Sequence, residues 1–131
     1  MIVVLDTNVW VSALQFSRPD SIPLRALQRA VREDVLATSH DLREEIHRVL
    51  TGKFLWAEDR TASLLDRFLA RAITVELTHT TTICRDPKDN MFLECAALAK
   101  ADLLIAGDKD LLVLGSYRRT RIITPAEYLN T

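Results

Sequence analysis

The apolar positions of this chain fall into short unbroken runs, separated by longer stretches in which they recur every three or four residues. Ile2, Val3, Val4 and Leu5 form the first run, largely β-branched and without polar alternation, the pattern of a strand covered on both faces of a parallel sheet. Residues 35–38 and 102–106 repeat it, residues 121–123 supply a last strand, and residues 73–77 read as a further strand or an extended connection. Helical spacing fills the intervals. Residues 7–16 follow the first strand, with Asp6, Thr7 or Asn8 able to cap the first turn. Residues 23–31 start at Pro23, a residue suited to a first helical position, and bury Leu24, Leu27 and Val31. Residues 41–51 turn Leu42, Ile46, Val49 and Leu50 inward and stop at Gly52. Residues 58–72 do the same with Leu64, Leu65, Phe68 and Leu69. A small-residue-rich helix carrying Met91, Phe92, Cys95, Ala96 and Leu98 follows Asn90, a short helix runs to Leu114, and Pro125 opens a closing turn. Residues 17–23 and 78–82 read as loops.

Strands alternating with helices predict an α/β fold with a doubly wound parallel sheet and right-handed crossovers. Ligands of such sheets bind beyond the carboxyl ends of the strands. Asp6 and Asp108 both fall at strand carboxyl ends, and Asp89 falls at the start of a helix.

With 131 residues, 48% of them hydrophobic and 27% charged, the chain is expected to form one domain spanning 1–131. A net charge of -1 gives no global attraction to polyanions, so nucleic-acid binding would have to be local, through a basic patch or metal ions. Two cysteines, Cys84 and Cys95, make no disulfide framework, and the strand at the N-terminus leaves no room for a signal peptide, so a cytoplasmic location is expected. No apolar run is long enough to span a membrane.

Singly, each acid has an ordinary explanation. Asp6 and Asp108 suit helix N-caps, Asp86 a turn before Pro87, and Asp89 a first helical turn. Glu45 could pair with Arg43 or Arg48, although it borders the apolar stripe at Ile46, whereas Glu44 reads as solvated. Together they are harder to explain. Carboxylates gathered at one sheet edge repel by roughly 3 kcal/mol per close pair at an effective dielectric of about 20. Mg²⁺ or Mn²⁺ offsets that repulsion, and such ions activate water against a phosphodiester without any covalent nucleophile.

Other chemistries fit less well. No glycine-rich loop follows the first strand. His40, Glu44 and His47 share part of a helix face but lack the HExxH spacing of a zinc site. A phospho-acceptor receiver domain would need an acceptor Asp after the third strand and a lysine after the fifth, and neither is in place.

The segments VLDTNVWVSAL, REEIHRVL, CRDPKDNMFLECA, LLIAGDKDLL and IITPAEYL stand in the order and spacing of PIN-domain proteins, and the chain most closely resembles the toxin-like branch of that family, the toxin components of toxin–antitoxin pairs. The resemblance implies a three-layer α/β/α sandwich with a central parallel sheet of four to five strands. It also implies a Mg²⁺- or Mn²⁺-dependent endoribonuclease, a cognate antitoxin protein as partner, and a homodimer in which apolar residues such as Trp10, Phe16, Phe54 or Trp56 are covered. By matching positions, Asp6, Glu45, Asp89 and Asp108 correspond to the family's catalytic and metal-binding acids. Asn8 matches a site-supporting polar residue, and Asp86 and Asp110 match accessory acids. Members often carry Ser or Thr before the Gly-Asp of the fourth motif, where this chain has Ala106.

Substrate contacts are sought among cations. Lys88 and Lys109 lie beside the acids, Arg118 and Arg119 form a basic cluster with Arg121, and Arg25, Arg29 and Arg32 share a helix face that reads more simply as solvated. The alternative to a nuclease is a non-catalytic RNA-binding or protein-interaction domain on the same fold.

Overall fold

A computed structural model describes residues 1–16 and 18–131; Ser17, the first residue of the predicted 17–23 loop, lies outside the described residues. Its strands are β1 (Ile2–Leu5), β2 (Val35–Ser39), β3 (Ile73–Val75), β4 (Leu103–Ile105), β5 (Ser116–Tyr117) and β6 (Thr120–Ile123). They form one sheet in the order β3-β2-β1-β4-β6-β5, parallel throughout except that β5 runs antiparallel to β6. The expected parallel strands are therefore joined by an antiparallel two-residue edge strand. That strand escapes sequence patterning because two residues, Ser116 and Tyr117, carry no period.

The helices are α1 (Thr7–Gln15), α2 (Ile22–Glu33), α3 (His40–Arg48), α4 (Glu58–Phe68), α5 (Asn90–Ala99), α6 (Lys109–Leu112) and α7 (Pro125–Leu129). Several ends differ from the sequence reading. Ser21 caps α2 through Leu24 N, so the helix begins at Ile22 with Pro23 inside its first turn. Helix α3 does not stop at Gly52 but loosens into a π-helical turn, Val49–Lys53. Helix α4 ends at Phe68, four residues early, and α5 is preceded by a 3₁₀ turn, Pro87–Asp89.

The alternation of side chains along each strand assigns the layers. Val3, Leu5, Leu103 and Ile105 face α1, α2 and the α3–α4 region, where Trp10, Ala26, Leu27, Ala30, Ile46 and Leu65 are buried. Val4, Leu104 and Ile122 face the opposite layer, built by Phe92, Leu93, Cys95 and Ala96 of α5 with Leu111 of α6. Both faces of β1 and β4 are thus covered, which is why their sequences are continuously apolar. Leu27 lies in the middle of the first layer with no exposure. Leu27→Ala is expected to lower stability by about 2–5 kcal/mol, whereas Val113→Ala, at a side chain 80% exposed, leaves a urea melt unchanged. Equal midpoints for the two variants would contradict this core. Trp10 is core, edge-on to Phe68, while Phe16 is exposed and stacks edge-on against Phe54. Among the described residues, no helix is long and apolar enough to cross a membrane.

Candidate metal centre

From β1 the chain passes to β2 on one side, and β4 pairs on the other, so the order of connection reverses between β1 and β4. The crevice outside such a reversal is where α/β sheets bind ligands. Asp6 leaves β1 and Asp108 follows β4 at this place.

Asp6 is 1% exposed, and its carboxylate is fixed by backbone alone. Oδ1 accepts from Val9 N (2.9 Å), capping α1, and Oδ2 accepts from Gly107 N (2.9 Å) and Asp108 N (3.2 Å). The capping role expected for Asp6 and a role in a site are therefore compatible, since Oδ1, with a single donor, retains a free lone pair. Burial raises the Asp6 carboxyl from 3.8 to about 6 against the pull of those three N–H groups. A Cβ on Gly107 would stand 3.4 Å from Asn8 Cβ, so the turn after β4 fits closely over the start of α1.

Asp108 caps α6, accepting from Asp110 N at 2.8 Å. Asp89 ends the 3₁₀ turn before α5, is 6% exposed, and its Oδ2 is a buried oxygen without a hydrogen-bond partner. Carboxylate oxygens of Asp89, Asp108 and Asp110 all lie within 4.8 Å of one another. Desolvation, followed by the hydrogen bond and charge of Asp108 and the charges of Asp86 and Asp6, pushes Asp89 up to about 7. Burial, and then the charges of Asp89, Asp108, Asp110 and Asp86, push the Cys84 thiol up to about 11 in the metal-free protein.

A cleft of about 190 Å³ gathers Asp6, Thr7, Asn8, Glu45, Val49, Asp86, Lys88, Asp89, Phe92 and Asp108. The structure thus brings Asp6, Glu45, Asp89 and Asp108 to one cavity, with Asn8, Asp86 and Lys88 on its wall. Asp110 stands closer to the centre than its accessory rank implied. Helix phase separates the two glutamates: Glu45 receives a hydrogen bond from Thr7 Oγ1 and is 3.8 Å from Arg48, whereas the Glu44 carboxylate is largely exposed and 3.8 Å from His40. Thr7 is the residue that sequence reasoning passed over as more than a possible cap. Its position next to Asp6 was legible, but its bond to Glu45 spans 38 residues and has no local signal. Asn8 is exposed.

Two expected substrate contacts lie elsewhere. Arg118 and Arg119 form the turn between β5 and β6, and Arg121 pairs with Leu103 at the amino end of β4, so this turn sits at the opposite edge of the sheet from the acids. There Arg119 binds Asp102 at 3.1 Å and Arg118 lies 5.4 Å over the Tyr117 ring. The sequence cluster was real, but parallel strand direction sends it away from the cleft. Arg29, from the other group, turns inward over Tyr128 at 4.5 Å and pairs with Glu33 at 3.4 Å. Lys109 is exposed at the start of α6, next to Asp108.

Comparison with known proteins agrees with this architecture. An uncharacterized protein of Methanocaldococcus jannaschii is 31% identical over 140 residues, covering 97% of this chain and 88% of the relative. The crystal structure of VapBC2 from Rickettsia felis, bound to a DNA fragment from their promoter, contains a chain that superposes with a TM-score of 0.60 at 18% identity, covering 93% of this chain and 97% of that one. The model of the PIN domain family matches residues 2–110, the span from β1 to Asp110 that builds the acidic cleft, and this chain belongs to the PIN domain family.

Proposed function

We propose that this protein is a Mg²⁺- or Mn²⁺-dependent endoribonuclease and the toxin of a toxin–antitoxin pair. The observation that carries the reading is Asp89 Oδ2, a buried carboxylate oxygen without a partner, in the group that Asp89 forms with Asp108 and Asp110. Such an oxygen is costly to keep ionised unless a cation takes it. The donors are all carboxylates, which suits a hard cation; Asp89, Asp108 and Asp110 would hold it, with Asp6 and Glu45 on the adjoining walls. Bound there, the metal supplies Lewis acidity and a water of lowered pKa for attack on a phosphodiester.

The chain's own residues prepare that site. Three backbone N–H groups hold Asp6 in a single orientation, and Thr7 fixes Glu45 across the cleft. Asp108 aligns α6 through its cap, which places Asp110 beside it. Lys88 on the cleft wall and Lys109 at the start of α6 offset the negative field and attract the substrate's phosphates. The assignment to a toxin, and with it an antitoxin protein as partner, rests on the resemblance of the motifs to toxin components and accords with the fold likeness to VapBC2.

Purified protein incubated with labelled RNA is expected to cleave it in Mn²⁺ and not in EDTA. Absence of cleavage in Mn²⁺ would instead favour a non-catalytic RNA-binding or protein-interaction role. A second comparison tests the helix phase. Glu45→Gln is expected to lower the Mn²⁺-dependent rate by about 10- to 100-fold, the usual effect of disturbing a metal site's immediate surroundings, while Glu44→Gln stays close to the parent rate. The reverse order would move the ligand to Glu44.

A further inference from the structure

A cavity of about 520 Å³ lies apart from the acidic cleft. It opens at the amino end of the sheet, between the carboxyl ends of α2 and α4 and the start of β2, and is lined by Val31, Val35, Leu36, Phe68 and Ala72 with Arg32, Arg67 and Arg71. Volumes of this order accommodate small organic ligands.

Its charge is one-sided. None of Arg32, Arg67 and Arg71 pairs with a carboxylate among the described residues, a state they share with most of the chain's exposed arginines; what sets them apart is that all three line one hollow. The single acid on the wall, Asp34, is already engaged, receiving the Tyr128 hydroxyl and the Met1 ammonium, the latter at 3.0 Å. Favourable interaction of cations with the last turns of α2 and α4 explains basic residues near those ends. It does not explain why Arg71, beyond the end of α4, joins Arg32 and Arg67 in lining the same partly apolar hollow. Guanidinium forks match phosphate oxygens, and an aromatic ring such as Phe68 offers a face or edge to a planar group.

We propose that this cavity binds a small phosphate ester with a planar apolar part, of the nucleoside monophosphate class, at a site separate from the carboxylate cleft. The phosphate engages Arg32, Arg67 and Arg71, and the base lies toward Phe68, Val35 and Leu36. Because Phe68 packs edge-on to the buried Trp10 at 6.0 Å between ring centroids, occupancy is expected to change tryptophan fluorescence.

Titration of the whole protein with AMP and GMP in EDTA, followed by calorimetry and by fluorescence, tests the site without any contribution from metal in the cleft. Saturable one-to-one binding is expected, unchanged in Asp108→Asn and weakened about tenfold by each of Arg32→Ala, Arg67→Ala and Arg71→Ala, as for loss of one charge-assisted hydrogen bond. These arginines are exposed, so the variants should melt like the parent. Adenosine and inorganic phosphate, tested separately, should each bind more weakly than AMP. No binding of either nucleotide, binding untouched by the three arginine variants, or binding of oligonucleotides alone would overturn the proposal. The nuclease reading stands or falls separately, on cleavage in Mn²⁺.

Discussion

Asp6→Asn is expected to lower Mn²⁺-dependent RNA cleavage by at least about 100-fold, beyond the effect of altering a residue that merely supports a metal site. Asp6 sits where the sheet's connectivity reverses, and both its oxygens serve the turns that build the cleft. Asparagine has one acceptor oxygen. If it keeps Gly107 and Asp108, its NH₂ group faces Val9 N; if it keeps Val9, the NH₂ group faces two donors. The variant therefore loses a charge and leaves at least one buried donor unmatched, a structural cost of about 1–3 kcal/mol. Circular dichroism and a urea melt should show a folded but weakened protein, which separates lost chemistry from lost structure. Asp89→Asn supplies the control, because Asp89 Oδ2 has no partner to lose. It should abolish cleavage to a similar degree without weakening the metal-free fold. A folded Asp6→Asn protein retaining more than a tenth of the parent rate would remove Asp6 from the catalytic set.

Without metal, the protein should become more stable as the pH is lowered from 8 to 5. Asp6 at about 6 and Asp89 at about 7 both lie above the 3.8 of an unperturbed aspartate. Between those limits the folded protein holds protons that the unfolded chain has released, so unfolding free energy falls as pH rises and levels off above the folded values. The two acids interact, and together they are worth on the order of a few kcal/mol across that range. Acids shifted the other way do not interfere. Glu94, bound by Thr78 and His79, and Asp102, bound by Ile2 N, have lowered values, so the stability they contribute is present above the ordinary carboxylate range and is lost as pH falls through that range toward their folded values. Urea midpoints in EDTA at pH 5, 6, 7 and 8 should therefore fall with pH, and Asp89→Asn should flatten the trend. Millimolar Mn²⁺ should raise the melting temperature, most at pH 8 where the carboxylates are ionised, because it binds the native state selectively. Midpoints rising with pH in EDTA, together with no response to Mn²⁺, would contradict a preformed carboxylate site.

Much of this architecture is written locally. The aliphatic run from Ile2 to Leu5 reports burial on both faces because each face of a parallel sheet is covered by helices, and it places the first acid at a strand end. Pro23 and Pro125 mark helix starts to within a residue, whereas the caps Ser21 and Thr124 emerge only in the structure. Helix ends were less legible. The last turn of α3 widens into a π-helical turn through Gly52 that keeps Leu50 buried in the core.

Local residue order establishes the alternation of strands and helices, and the acids Asp6, Asp89 and Asp108 as residues standing where elements change, because propensity, capping and hydrophobic period act over a few residues. Which groups meet follows only from the assembled sheet and its helices. Glu45 rather than Glu44 turns to the cleft because the packing of α3 fixes its phase, and there Thr7, from another helix, binds it; Asp110 joins Asp89 and Asp108 because α6 starts over the end of β4. Arg118 and Arg119 fall away from the acids because β6 runs parallel to β4, so the turn before it lies at the amino ends of the strands, while Arg32, Arg67 and Arg71 line a separate hollow beside the start of β2. Such meetings depend on strand order and crossover direction, which arise from packing across the whole sheet and leave no mark in any local window.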